Sequence, residues 1–337
     1  MDNKRSNTSL IKKFLEKSMI RIGLFAMFIF LPAVLLAQSY KYTMQTIGKH
    51  DDEVLGVFVN EANTKFATCS LDETIKIWSL PEGKELLTLK GHLGAVNNIS
   101  FSGNDLWLAS ASADNTVRIW DVNDGKELKI LKGHTDQVIG CYFSQDDSSF
   151  YVASTSFDKT VKLWDVRTGM EVKTLRGHTE YTNNVAYSYD KKYIASCSDD
   201  KTIKVWSTDQ TSKEPIMTLL GHEASVLTCL FSYDFKTLAS SDQDGNILIW
   251  AIPSGKLVRT IKAHKDIVQD VSFSEDSKIL LSGSLDKTVK LWNVATGANI
   301  MTFDVGAEVW SVDLNSDVSI IVVACVDGTV RMLKRVK

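Results

Sequence analysis

The side chains best suited to acid–base or nucleophilic work in this 337-residue chain are its six histidines, each followed by a hydroxyl and a carboxylate. They are His50, His92, His134, His178, His222 and His264. Thr68, Ser110, Ser154, Ser196, Ser240 and Ser282 supply the hydroxyls, and Asp72, Asp114, Asp158, Asp200, Asp244 and Asp286 follow four residues later in each case. A single His–Asp pair beside a hydroxyl would be a candidate dyad, with the imidazole as general base. Six copies at one spacing are the mark of a repeat, because a reaction needs only one. Ser156, Ser198 and Ser284 each start a Ser-x-x-Lys string of the acyl-transfer kind. All three strings fall at the same turn of the repeat. Asp242-Gln-Asp-Gly-Asn246 resembles the start of a calcium loop, but Pro253 stands where the closing Glu is needed. With every His assigned to a repeat, no catalytic residue, metal ligand or cofactor site is expected, and the chain reads as a non-enzyme.

The elements that must position these residues follow from the same spacing. Trp78, Trp120, Trp164, Trp206, Trp250 and Trp292 each lie six residues after one of the Asp residues. The His, Ser/Thr, Asp and Trp set recurs every 42 to 44 residues, a propeller period. Each unit reads as four short strands. In the third they are 138–143, 150–155, 160–164 and 170–175, separated by turn residues around 145–148, 158–159 and 167–169. Helix signals are nearly absent after residue 40. The expected fold is all-β, a seven-bladed propeller of four-stranded blades.

The quartet resembles the WD-repeat family over about residues 40–337. The resemblance implies that Trp, Ser/Thr, His and Asp form one hydrogen-bonded chain inside each blade. The residue chemistry suits that role: an indole only donates, hydroxyl and imidazole do both, and the carboxylate accepts. Such a chain suits a buried site only when every member is satisfied. The seventh unit departs from the pattern. Val305 falls at the His position, Val323 at the Ser/Thr and Leu333 at the Trp, and only Asp327 is kept. Losing the interacting members together leaves no buried group unpaired. That unit also lacks its own fourth strand, which 40–47 is expected to supply, closing the ring without a long free edge. Two units carry two extra residues each, near 146–149 and near 207–214. In the family both loops lie on the bottom face, away from the His- and Asp-bearing turns.

Residues 1–37 stand outside the repeat. Lys4, Arg5, Lys12, Lys13, Lys17 and Arg21 make a basic head, and Ile22–Ala37 is a 16-residue apolar run without charge. Basic head, apolar core and small end residue describe a secretory signal peptide; about 20 residues suit a spanning helix better. The expected organisation is therefore a leader at 1–37 and a propeller at 38–337, exported to the periplasm or secreted. An uncleaved anchor would still place the propeller outside the cytoplasm. The cysteines at 69, 141, 197, 229 and 325 fit neither a disulfide framework nor a metal site. They read as buried thiols, with one bridge between neighbours left open. Asn98-Ile-Ser100 matches a glycosylation sequon but lies in an innermost strand. The formal net charge is −3, and the loops after each His are acidic, so a phosphate backbone would be repelled. No nucleic-acid partner is expected.

What remains is a recognition surface for another protein, on a chain expected to be monomeric by itself. In the family, the residue before each turn Asp lies on the top face. Here those are Leu71, Ala113, Phe157, Asp199, Gln243, Leu285 and Val326. Tyr181 should approach Phe157 across the boundary between blades 3 and 4, and Trp310 lies in the first strand of blade 7. Phe157, Tyr181, Trp310, Leu71 and Leu285 are the candidate contact residues, since exposed aromatic and aliphatic groups anchor interfaces. The expected function is an exported, non-catalytic interaction platform. One alternative is a propeller that binds a small ligand such as a glycan in its channel, which channel-facing carboxylates with raised pKa would favour. Another is an envelope-anchored structural subunit of a larger complex.

Overall fold

Strands of about six residues, rich in Val, Ile and Leu and separated by Asp-, Gly- and Ser-containing turns, are too short to bury a core alone and must stack. The computed structural model describes residues 41–144, 150–209 and 211–336. Among these, 28 strands form seven four-stranded sheets, and no helix is long and apolar enough to cross a membrane. Each sheet is one blade, running from an innermost to an outermost strand.

The innermost strands are Val54–Val59, Val96–Phe101, Val138–Phe143, Thr182–Tyr187, Val226–Phe231, Val268–Phe273 and Val309–Leu314. The next strand of each blade is almost wholly buried between neighbouring sheets, as in Tyr193–Ser198. The outermost strands are half-exposed. The exception to chain order is the last blade, where Lys41–Lys49 lies outside Thr329–Val336 and completes the sheet. The Tyr42 hydroxyl donates to the Val318 carbonyl at 2.5 Å, tying the two ends of the chain. This closure is the one expected, and the described strand Lys41–Lys49 runs two residues past Ile47.

In blade 3 the strands are Val138–Phe143, Tyr151–Ser156, Thr160–Asp165 and Met170–Arg176, within a residue of the expected ends. The inserted loop near 146–149 lies outside the described residues, as does the leader at 1–37. The second insertion shortens the outermost strand of blade 4 to Met217–Leu219.

Two sequence habits acquire a cause here. Gly91, Gly133 and Gly221 stand just before a His, and a Cβ on any of them would meet the Trp ring of the same blade at 3.0 Å. At the turn after each network Asp the backbone is left-handed: Glu73, Asn115, Lys159, Lys201 and Lys287 have φ of 67° to 69°. Gly245 and Gly328 occupy the same place in blades 5 and 7, where glycine carries no Cβ penalty.

Candidate functional site

Each of the first six blades holds a hydrogen-bonded hub. In blade 4 the Trp206 Nε1–H donates to Ser196 Oγ at 2.9 Å. Ser196 Oγ lies 2.9 Å from His178 Nε2, and His178 Nδ1 lies 2.8 Å from Asp200 Oδ2. An acceptor carboxylate at Nδ1 places the imidazole proton there, leaving Nε2 to accept from the hydroxyl. The same hub joins Trp78, Thr68, His50 and Asp72, Trp120, Ser110, His92 and Asp114, and Trp164, Ser154, His134 and Asp158. Trp292, Ser282, His264 and Asp286 repeat it in blade 6. The Asp also accepts from a Thr two residues on, as Asp200 does from the Thr202 hydroxyl at 2.6 Å.

The electrostatics suit a structural part. Burial lowers His264 to about 4, outweighing the raising influence of Asp286, and burial likewise lowers His50. Burial opposes ionisation of Asp114, Asp158 and Asp200 too, but hydrogen bonds from the paired His and Thr hold them well below the usual carboxylate range. An imidazole bonded at both nitrogens, to a hydroxyl and to a carboxylate, with the Ser oxygen also occupied by an indole, has no free ring nitrogen to offer a substrate.

Blade 5 corrects one assignment. His222 Nδ1 meets Asp242 Oδ2 at 2.7 Å, and Asp244 is exposed and takes no part. Ser240 and Trp250 keep their places. The other five hub blades have Ser where Asp242 stands, and that Ser accepts the backbone N–H of the network Asp, as Ser198 does from Asp200. The carboxylate of Asp242 combines both duties, accepting from the backbone of Asp244 and Asn246 as well as from the ring. The longer side chain reaches the imidazole from two residues earlier.

Blade 7 has no hub. Val305, Val323 and Leu333 are buried in one apolar cluster with Val312 and Ile321, and Asp327 pairs instead with Arg331. Polar bonding reappears between blades. Val57 N–H donates to Ser311 Oγ, which lies 2.6 Å from Asp270 Oδ2. Asp313 accepts from Val59 N–H and from the Ser272 hydroxyl, both at 2.7 Å. Blades 6, 7 and 1 are thus laced together at the channel wall.

Because every hub His meets its Asp, the loops that carry them share one face. On it the Phe157 and Tyr181 rings stack across the boundary of blades 3 and 4, with centroids 4.4 Å apart. Tyr181 is 43% exposed, whereas Phe157 is half-buried. Leu71 is at the edge of exposure and Leu285 is half-buried. Trp310 is half-buried, and its N–H is taken by Glu53 Oε2 at 2.7 Å, so it serves the seam between blades 7 and 1. The residue that sequence reasoning missed is Leu93, 82% exposed in the loop after His92. Its signal was present: it is the one large aliphatic residue directly after a His, where Asp51, Thr135, Thr179, Glu223 and Lys265 are polar.

Seven consecutive segments match the family described as WD domain, G-beta repeat: 41–79, 83–121, 125–165, 169–207, 213–251, 255–293 and 297–333. The chain belongs to the WD-repeat family. No curated protein matches it closely enough to be set beside it. Propellers of this family generally bind other proteins and are generally non-catalytic.

In this WD-repeat ring the cysteines at 69, 141, 197, 229 and 325 are all buried free thiols, and no cluster of metal-binding side chains occurs among the described residues. Asn98 of the sequon accepts the Cys141 backbone N–H, within the wall of the ring. The perturbed carboxyls lie elsewhere, in the channel. Burial pushes Asp270 up to about 7 and Asp313 up to about 6, against the hydrogen bonds that favour their ionised forms.

Proposed function

We propose that this WD-repeat propeller is an exported, non-catalytic platform that holds another protein on the face bearing the His and Asp turns. The observation that carries the reading is apolar surface on an otherwise charged face, which also bears exposed Lys201, Lys265 and Lys287. Leu93 and the stacked Phe157–Tyr181 pair stand there among Asp51, Asp52, Glu180, Glu223 and Asp266, which are all exposed. Large apolar groups ringed by charge are the usual anchors of an interface. The hubs beneath hold the turns without help from a ligand, so docking costs little ordering.

Export rests on the basic head and the 16-residue apolar run before the ring. The mass and N-terminal peptide of the protein recovered from fractionated cells test it. A chain starting at Gln38 in a soluble exported fraction supports a free platform. An intact chain in the membrane fraction favours an anchored subunit, and an intact chain in the cytosol overturns export. Contact is tested by cross-linking in the fraction where the protein resides. Phe157→Ala with Tyr181→Ala, and separately Leu93→Asp, should abolish the adduct while leaving thermal unfolding unchanged; full retention in both removes this face.

A further inference from the structure

The channel holds a cavity of about 130 Å3 at the end where each innermost strand turns outward, enough for roughly four waters at ~30 Å3 each. Its lining is divided by blade. Blades 3, 4 and 5 contribute Tyr142, Tyr189 and Tyr233, with Phe58 of blade 1 beside Tyr142. Tyr189 stacks on Tyr233 at 4.2 Å, and Phe58 meets Tyr142 at 5.8 Å. Blades 6, 7 and 1 contribute Asp270, Glu275, Asp313 and Glu61. Among the described residues that line it, none is Lys, Arg or His.

The carboxylates therefore face one another without a counter-charge. Among the described residues, Asp270 and Asp313 accept only from neutral donors: the backbone of Val271 and Val312 and the Ser311 hydroxyl for the first, and the backbone of Val59 and Leu314 and the Ser272 hydroxyl for the second. Enclosed charge without an opposite partner is costly, and a cation that enters offsets the cost. A separate observation points into the same space. Thr228 lines the cavity and is only 3% exposed, yet its hydroxyl bonds to no described residue. It is not among the polar atoms sealed away unpartnered in the protein interior, so it opens onto the cavity.

The aromatic half decides which kind of cation fits. A divalent metal wants several oxygens converging on one point, and no such group occurs among the described residues. Ring faces instead attract diffuse organic cations. We propose that this end of the channel binds a small organic monocation, an alkylammonium or guanidinium head. The head sits between the tyrosine rings and the carboxylates, and the Thr228 hydroxyl accepts one of its N–H groups. The raised carboxyls of Asp270 and Asp313 accord with a missing positive charge. Glu61, exposed at the mouth, adds attraction that channel water partly screens.

Isothermal titration of the full-length protein with n-butylammonium, against n-butanol as the neutral isostere, tests the assignment. The expected result is saturable one-to-one binding of the ammonium and none of the alcohol. Glu61→Gln and Tyr233→Leu, both on the turns beyond the strands, should each weaken binding about tenfold at a temperature well below their melting transitions, and Glu61→Gln should leave thermal unfolding unchanged. N-acetyl-lysine amide separates the two sources of such a head: tighter binding than butylammonium assigns it to a partner's side chain, and equal or weaker binding assigns it to a free amine. Absence of saturable ammonium binding in the millimolar range, equal binding of butanol, or undiminished binding in both variants overturns the proposal.

Discussion

Blade 4 and blade 7 solve the same packing problem with opposite chemistry. In blade 4 the space between strands is filled by the indole of Trp206, the hydroxyl of Ser196 and the ring of His178, each consuming the others' polar atoms. In blade 7 the same positions are Leu333, Val323 and Val305, and nothing there needs a partner. The difference teaches that the hub is a unit: all of it is kept or the buried part is lost together, because a half-satisfied network is worse than an apolar core. Its surviving carboxylate, Asp327, is exposed and turns to Arg331. Two polar groups on the innermost strand of blade 7, Ser311 and Asp313, face its neighbours, where the ring must be shut.

The largest effect is expected where blade 7 depends on the far end of the chain. Deleting residues 40–47 removes most of its outermost strand and should abolish cooperative unfolding, whereas deleting 1–37 leaves the melting transition of the propeller in place. Circular dichroism of the two truncations checks this. Next comes the exchange of one hydroxyl between the two kinds of blade. Ser196→Ala leaves both the indole N–H and the imidazole unmet and should cost about 2–4 kcal/mol. Val323→Ser places the same hydroxyl where no partner waits and should cost about 1–3 kcal/mol. Other single hub variants, such as Trp206→Phe or His178→Ala, should cost about 1–3 kcal/mol by urea unfolding. Unchanged stability in Ser196→Ala would break the comparison.

Blade 5 sharpens it further. Asp242→Ala should lose about 1–3 kcal/mol, whereas Asp244→Ala should stay within about 0.5 kcal/mol of the parent. The smallest expected effect is in the pH profile, where the two regions have opposite signs. Folded His264 stays neutral down to about pH 4, whereas the unfolded ring takes a proton near pH 6.5. The unfolded chain then binds more protons, so stability falls as pH drops from about 6.5 toward 4. Asp270 and Asp313 are raised to about 7 and about 6. Their contribution is full below the unfolded carboxylate value of about 3.9 and is lost as pH rises through those folded values. In urea titrations between pH 4 and 8, His264→Gln should remove a rise of stability with pH between about 4 and 6.5, and Asp313→Asn should remove a fall of stability with pH between about 4 and 6.

Most of the fold was legible because the hub fixes its residue types. His178, Ser196, Asp200 and Trp206 can be read as a set, and once six sets are counted the degenerate seventh and its borrowed strand follow from Val305, Leu333 and the Tyr40–Ile47 run. Asp244 was misread because periodicity counts positions, not reach; Asp242 lies two residues earlier and its longer side chain covers the gap. The channel was illegible for a different reason. Asp270, Asp313 and Tyr233 sit in blades 6, 7 and 5, and only ring closure brings such distant positions to one cavity. Leu93 lay in plain sight, but an exposed leucine becomes informative only when its neighbours on the face are known to be charged.

The most direct test of the central claim, that hubs hold the ring while the face above them does the binding, is partner capture measured at one temperature where every variant is folded. Phe157→Ala with Tyr181→Ala should lose the cross-linked partner at unchanged stability, and Trp206→Phe should keep the partner despite its lower melting temperature. Capture lost in Trp206→Phe and retained in the double face variant would contradict the account.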